Sequence, residues 1–291
     1  MRSFFTLWLL AGISFTAGCG RTDKAPAIVT EYPLKGEIVA MLPERRSFVV
    51  KHEEIPGFMP AMTMEFVVSP AEIAAFKAGQ FITARLVPTG EGAYRLESIF
   101  PYERTQAELV AVSAAMLRQE TSMRGRSAYR EIGEKTPDFA LYNQEGRAIP
   151  FTQFRGKRVV LNFIYTRCPI ATMCPTSTLN MMALQRLARE RGIGNLEFVS
   201  ISLDPGYDTP AVLKEYAAVR GIDTANFSLL TGPESAVRDL LVNFGVIAEW
   251  EESIIKHTLS TLLIDERGKI VHRVDGSQWR PADLLNKIPP A

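Results

Sequence analysis

The chain has 291 residues, of which 46% are hydrophobic and 22% are charged, a composition typical of a globular protein with ample core. Its formal net charge of +1 gives no reason to expect a nucleic acid or a strongly acidic partner. The length favours two domains over one small domain. Because the chain has only three cysteines and three histidines, the position of each is informative.

The first segment, residues 1–19, has the pattern of an export signal. Arg2 precedes an apolar stretch that is shorter than the roughly 20 residues a membrane span needs. The Ala-Gly-Cys ending resembles a bacterial lipoprotein signal, which implies that Cys19 is acylated and anchors the protein to the membrane. A plain export signal that leaves a free Cys19 is the alternative. Either way the protein is exported to the periplasmic side of the cell envelope, where thiols can oxidise, and residues 21–30 follow as a polar tether.

Residues 31–102 are predicted to form a small all-β barrel of the OB type. Five short runs rich in β-branched and aromatic residues are separated by Pro, Gly and charged turns, as the strands of such barrels are. The predicted strands are residues 34–41, 47–51, 62–68, 81–87 and 93–99.

Soft metal ligands are concentrated within residues 52–64 of this barrel. Met62 and Met64 are two positions apart on a predicted strand, so their thioethers point to one face. Thioethers suit Cu(I) and an imidazole can complete such a site, although methionines that merely fill a small core are the alternative. The stretch is similar to periplasmic copper-binding domains of the CusF type, which implies that His52, Met62 and Met64 are the ligands. Met59 stands near the position of that family's metal-capping Trp, which makes it a further candidate ligand.

The second domain is predicted to span residues 131–291, after a helical linker at residues 103–130. Its helices are predicted at residues 176–191, 209–220, 234–244 and 281–287, and its strands at residues 159–165, 196–203, 259–265 and 269–274, after a hairpin within residues 138–154. This order predicts an α/β thioredoxin-like fold, in which helices cover both faces of a mixed sheet.

Two cysteines, Cys168 and Cys174, lie where the strand at residues 159–165 leads to the first helix of this domain. The free N–H groups and the dipole at a helix N-terminus favour the thiolate, which attacks disulfides and binds soft metals. A structural disulfide that closes the short loop is the alternative. The sequence therefore indicates a redox or metal site at this junction.

Three separated segments resemble the Sco/SenC copper proteins of cytochrome c oxidase assembly. They are residues 165–175, residues 202–210 and residues 256–258, and the resemblance covers about residues 132–288. It implies that copper is bound by two loop cysteines and one distant histidine, namely Cys168, Cys174 and His257. The family usually has three residues between its cysteines and this chain has five, which leaves the ligand geometry open.

The chemistry of these residue types agrees with the resemblance. Two thiolates hold Cu(I), and an added imidazole makes a site that accepts Cu(II) as well. The strand at residues 196–203 is followed by Asp204, which either orients a ligand or a docking partner, or caps a turn. The resemblance implies an exported copper metallochaperone whose partners are the oxidase subunit that bears the CuA site and other periplasmic copper donors.

Three other functions use the same residues. A periplasmic thiol-disulfide oxidoreductase would attack with Cys168 and resolve with Cys174, without any need for His257. A zinc site of two cysteines and one histidine is chemically possible. A peroxiredoxin would need a threonine three residues before its cysteine, whereas Thr166 is two before Cys168.

Overall fold

The computed structural model of the chain describes residues 31–90, 92–125, 128–251 and 254–288. The predicted export signal at residues 1–19, with Cys19, and the tether at residues 21–30 lie outside the described residues. Among the helices of these four ranges, none is long and apolar enough to cross a membrane.

The N-terminal domain is a closed five-stranded barrel, as predicted. Its strands are β1 Tyr32–Leu42, β2 Ser47–His52, β3 Met62–Val67, β4 Phe81–Gly90 and β5 Ala93–Pro101, in the order β1-β2-β3-β5-β4. Alternate residues of a strand point inward, so Phe48 and Phe66 face each other across β2 and β3 in the core. A short helix that was not predicted, α1 Pro70–Ala75, follows β3 and is capped by the Ser69 side chain.

A long helix, α2 Arg104–Arg124, follows the barrel where the linker helix was predicted. It packs against the second domain along its length. The Gln106 side chain accepts a hydrogen bond from the Ala148 backbone N–H at 2.7 Å, and Arg118 donates to Asp239 at 2.7 Å. The helix is therefore held to the second domain and does not act as a free connector.

The second domain has the predicted thioredoxin-like fold, built on a seven-stranded mixed sheet. The sheet strands are β6 Ala140–Asn143, β7 Ala148–Pro150, β8 Arg158–Ile164, β9 Leu196–Ser202, β10 Phe227–Thr231, β13 Ser260–Ile264 and β14 Ile270–Asp275, and a separate hairpin contains β11 Ala248–Glu251 and β12 Ile254–His257. The helices are α3 Cys174–Glu190, α4 Pro210–Arg220, α5 Glu234–Phe244 and α6 Pro281–Leu285. The sheet order is β14-β13-β8-β9-β10-β6-β7, and β8, β9 and β10 run parallel in its centre.

Three strands of this domain were missed, namely β10, β11 and β12. β10 has only five residues and relies on its parallel neighbour β9 for its hydrogen bonds, so a short local pattern is weak evidence for it. His257, which lies just before the predicted strand at residues 259–265, is the last residue of β12. The hairpin places this histidine on the side of the molecule where β8 ends.

Candidate metal centre

The cysteine loop begins at the end of β8, a strand buried along its whole length between β9 and β13. Tyr165 continues into the core and is 1% exposed, whereas Cys168 lies in the following turn and is half-buried. The helix α3 begins at Cys174, two residues before the predicted start, so this buried cysteine lies in the first helical turn. The chain thus presents one accessible and one inaccessible sulfur.

The three predicted ligands of the second domain come together in space. The Sγ atoms of Cys168 and Cys174 and a ring nitrogen of His257 all lie within 4.8 Å of one another, and both cysteines are free thiols. Cys174 Sγ is 3.3 Å from His257 Nε2. We call these three residues the cysteine cluster; its two sulfurs and one nitrogen are a soft donor set.

The orientation of His257 suits it to bind a metal. Its Nδ1 lies 3.1 Å from the Thr258 carbonyl oxygen, an acceptor, so Nδ1 carries the proton and Nε2 keeps its lone pair. That lone pair is directed to Cys174, and the ring is held edge-to-face against Tyr165 with centroids 5.5 Å apart. A backbone carbonyl that holds the second nitrogen in this way commonly orients histidine ligands of metals.

The two thiols differ in acidity because they interact with each other. The hydrogen bond from Cys174 lowers the pKa of Cys168 to about 4, although burial opposes this change. The same hydrogen bond, together with burial, raises the pKa of Cys174. Burial also raises the pKa of Tyr165 to about 12, so the phenol stays neutral. These shifts favour ionisation of the more exposed Cys168 over that of the buried Cys174.

A buried carboxylate that the sequence analysis did not single out holds the loop in place. Asp208 is 0% exposed and accepts hydrogen bonds from the Thr166 backbone N–H at 3.1 Å, the Thr166 hydroxyl at 2.5 Å and the Ser202 hydroxyl at 2.6 Å. Burial raises the pKa of Asp208 to about 6. In the sequence Asp208 lies within the segment 202–210 that resembles the Sco/SenC proteins, just before Thr209, the N-cap of α4. Only the tertiary structure connects Asp208 to the cysteine loop.

Asp204, for which a ligand-orienting and a turn-capping role were both open, pairs with Arg167 through its side chain and closes a turn through its backbone. Its carboxylate accepts a hydrogen bond from Arg167 Nε at 2.6 Å. Its carbonyl oxygen accepts from the backbone N–H groups of Tyr207 and Asp208. Arg167 also stacks on the ring of Tyr207, 4.6 Å from its centroid, so this group braces the loop beside Cys168.

The second predicted set of ligands lies at one end of the barrel, which we call the barrel mouth. His52 on β2 pairs with Met62 on β3, and Val50 pairs with Met64, so all three candidate side chains belong to the inward-facing row that contains Phe66. Met62 is 46% exposed and Met64 is half-buried. The structure therefore brings His52, Met62 and Met64 together at the rim of the core.

His52 has the state expected of an imidazole ligand. It is 2% exposed, and its Nδ1 donates to the Glu53 carbonyl oxygen at 2.7 Å. Its Nε2 is buried and has no hydrogen-bond partner among the described residues. A buried polar atom without a partner is costly, and a metal ion would satisfy this lone pair. Met59 is half-buried against the same core, in a turn closed by its pairing with Ile55, and stays a candidate.

Comparison with known proteins found two families along the chain. The SCO1/SenC family model matches residues 127–290, and the model of the copper binding periplasmic protein CusF matches residues 31–101. A SCO1 protein homolog of Bacillus subtilis is 31% identical over 164 residues, which are 55% of this chain and 83% of that protein. A thiol-disulfide oxidoreductase ResA of Bacillus cereus is 27% identical over 164 residues, 55% of this chain and 80% of that protein.

The comparison with solved structures agrees. A SCO1/SenC family lipoprotein from Bacillus anthracis superposes with a TM-score of 0.50 at 30% identity, and the match covers 55% of this chain and 96% of that one. The similarity therefore covers nearly the whole of that solved chain, and residues 127–290, which the family model matches, include the cysteine cluster.

Proposed function

Because the chain belongs to the SCO1/SenC family, we propose that it is an exported copper metallochaperone. In this proposal Cys168, Cys174 and His257 hold copper in transit, and the protein supplies copper, or electrons for the target cysteines, during assembly of the CuA site of cytochrome c oxidase. The observation that carries the proposal is the convergence of two sulfurs and one imidazole nitrogen within 4.8 Å.

The geometry of the cluster supports a cargo that changes oxidation state. Two cysteine sulfurs suit Cu(I), and the Nε2 lone pair of His257 adds the harder donor that Cu(II) prefers. The lowered pKa of Cys168 favours the thiolate that binds the metal, whereas the raised pKa of Cys174 means that metal binding has to displace its proton. The half-buried Cys168 and His257 leave the ion within reach of a partner.

We propose that the barrel mouth is a second copper site, which receives Cu(I) from other periplasmic donors. The similarity to CusF and the unpartnered Nε2 of His52 support this role. Met62 and Met64 supply thioethers, which are neutral ligands and hold Cu(I) less tightly than thiolates do. Copper is therefore expected to move from the barrel mouth to the cysteine cluster.

The proposed location is the periplasmic side of the cell envelope, with a lipid anchor at Cys19. Two comparisons support it: the CusF domain is periplasmic, and the relative from Bacillus anthracis is a lipoprotein. A lipid anchor would keep the protein at the membrane, where the subunit that bears the CuA site is expected.

A thiol-disulfide oxidoreductase is the second candidate function. The low pKa of the accessible Cys168 favours it, because the thiolate is the attacking form. The similarity to ResA points the same way. In that function the buried Cys174 would resolve the mixed disulfide, and His257 would not be needed.

The substitution His257→Ala separates the two functions, when it is made in a protein whose barrel mouth is disabled by Met62→Leu and Met64→Leu. We expect the affinity for Cu(II) to fall by more than the roughly 10–100-fold that follows loss of an outer-shell partner. The affinity for Cu(I) and the dithiol reduction potential should change much less. His272→Ala, in the same domain but outside the cluster, is the control. Unchanged Cu(II) affinity would refute the three-ligand site and leave the oxidoreductase.

A further inference from the structure

We infer that copper passes from the barrel mouth of one molecule to the cysteine cluster of a second copy, and not between the two sites of one molecule. This inference rests on the proposed copper function. It follows from where the barrel contacts the second domain and from how firmly that contact is made.

The barrel contacts the second domain at the end opposite its mouth. A cleft of about 760 Å³ separates the two domains. Its barrel wall includes Val67, the last residue of β3, and Arg46, the residue before β2. Its other wall includes Arg167 and Tyr207, from the loops that surround the cysteine cluster.

Both ligand strands run away from this cleft. Met62 is five residues from Val67 along β3, and His52 is six residues from Arg46 along β2. At a rise of about 3.3 Å per residue, these separations are roughly 17 and 20 Å. Among the described residues, the group of His, Cys, Asp or Glu ligand atoms that lie within 4.8 Å of one another is the cysteine cluster, and His52 is not part of it. The two copper sites are therefore separate, on opposite sides of the cleft.

Copper moves between soft ligands by exchange, in which donor and acceptor bond to the same ion for a time. Metal–sulfur bonds are about 2.3 Å long, so both ligand sets must approach within a few ångströms of one another. The distance of roughly 17 Å from Val67 to Met62 along β3 is by itself several times larger than that. Exchange within one molecule would therefore require the domains to come apart.

The contact between the domains opposes such opening. Glu72 of α1 is 3% exposed, and its carboxylate accepts a hydrogen bond at 2.6 Å from the hydroxyl of Thr209, the N-cap of α4. Ala211 of α4 is 3% exposed and belongs to the hydrophobic core of the barrel. Ser98 of β5 donates to the carbonyl oxygen of Gly206 at 2.9 Å. Opening would expose this core and break both hydrogen bonds.

The covalent connection is equally constrained. Phe100, near the end of β5, packs against Tyr142 of β6 with ring centroids 5.4 Å apart. Pro101 lies so close to Gly146 that a Cβ on that glycine would come within 2.6 Å of the proline ring, and Gly146 has a positive φ of 72°. Together with the packing of α2, these contacts restrain movement of β5 relative to the second domain.

A second copy can reach both sites without any opening. Met62 at the mouth is 46% exposed, and Cys168 and His257 of the cluster are half-buried. A mouth on one molecule can therefore approach a cluster on another. Since each chain carries one donor and one acceptor, every molecule can both give and receive copper.

Two complementary full-length variants test the inference. The donor carries Cys168→Ser and Cys174→Ser and is loaded with one Cu(I) in the barrel. The acceptor carries Met62→Leu and Met64→Leu, with reduced cysteines. After anaerobic mixing, the Cu(I)–thiolate absorption of the acceptor is followed over time, and we expect its initial rate to rise in proportion to acceptor concentration.

The wild-type chain gives the matching measurement. It is loaded at the barrel in its disulfide form and then reduced rapidly in excess reductant. Transfer between molecules predicts that tenfold dilution lengthens the half-time about tenfold. A half-time that does not change on dilution, with no transfer between the two variants, would overturn the inference. If either variant fails to bind copper at its intact site before mixing, the proposed function is wrong instead.

Discussion

Replacement of Glu72 by Gln should change how the stability of the protein depends on pH. Burial at the domain contact raises the pKa of this carboxyl from 4.5 to about 7, and the hydrogen bond from Thr209 opposes the rise only in part. Its second oxygen, Oε2, is buried and lacks a hydrogen-bond partner in the described part of the chain. Glu72 is therefore neutral in the folded protein at pH values where it is ionised in the unfolded chain.

The direction and the size of this change in stability follow from the linkage between proton binding and folding. Between pH 4.5 and about 7 the folded chain binds a proton that the unfolded chain has released, so the free energy of unfolding falls as the pH rises through this interval. Below pH 4.5 Glu72 does not lower the free energy of unfolding, and above about pH 7 the full decrease is present. A pKa difference of this size corresponds to a decrease of about 3 kcal/mol in the free energy of unfolding. Glu72→Gln is neutral at every pH and keeps an oxygen that can accept from Thr209.

The assay is denaturant unfolding followed by circular dichroism, at several pH values between about 4 and 8. We expect the stability of the variant relative to the parent to rise through this range by up to about 3 kcal/mol. Asp208, whose pKa burial also raises, to about 6, is present in both proteins, so its contribution cancels. Glu108→Gln, which removes an exposed carboxylate of α2, is the control. A difference between variant and parent that stays constant with pH would refute the argument.

Three further predictions concern the two copper sites. Oxidation of Cys168 and Cys174 to a disulfide should release the copper of the cluster and leave the copper of the barrel, because disulfides do not bind metal. Metal analysis that finds both sites emptied would contradict the statement that the two sites are separate. Met62→Leu with Met64→Leu should remove Cu(I) from the barrel without unfolding it; an unchanged affinity would mean that these methionines only fill the core. Asp208→Asn should destabilise the second domain by about 1–3 kcal/mol, because the loop loses a buried hydrogen-bond acceptor. Hydrogen exchange at the Thr166 amide should also accelerate, and exchange as slow as in the parent would show that Asp208 does not hold the loop.

The sequence alone determined the elements that local patterns encode. The five barrel strands follow from runs of β-branched residues between turns, and the start of α3 near Cys174 follows from a buried strand that leads to a helical pattern. These features depend on residues a few positions apart, which a periodic pattern can detect. The candidate ligands came from the resemblance to two copper-binding families, and the chemistry of soft side chains agreed with it.

Only the tertiary structure decided how distant residues come into contact. His257 is 83 residues from Cys174, and the hairpin of β11 and β12 that brings it there was not predicted. Asp208 immediately precedes a predicted helix and Glu72 belongs to a helix that was not predicted, yet Asp208 holds the cysteine loop and Glu72 lies buried between the domains. Burial of a carboxyl depends on the packing of distant elements around it, and that packing, unlike a strand or a helix, has no local period in the sequence.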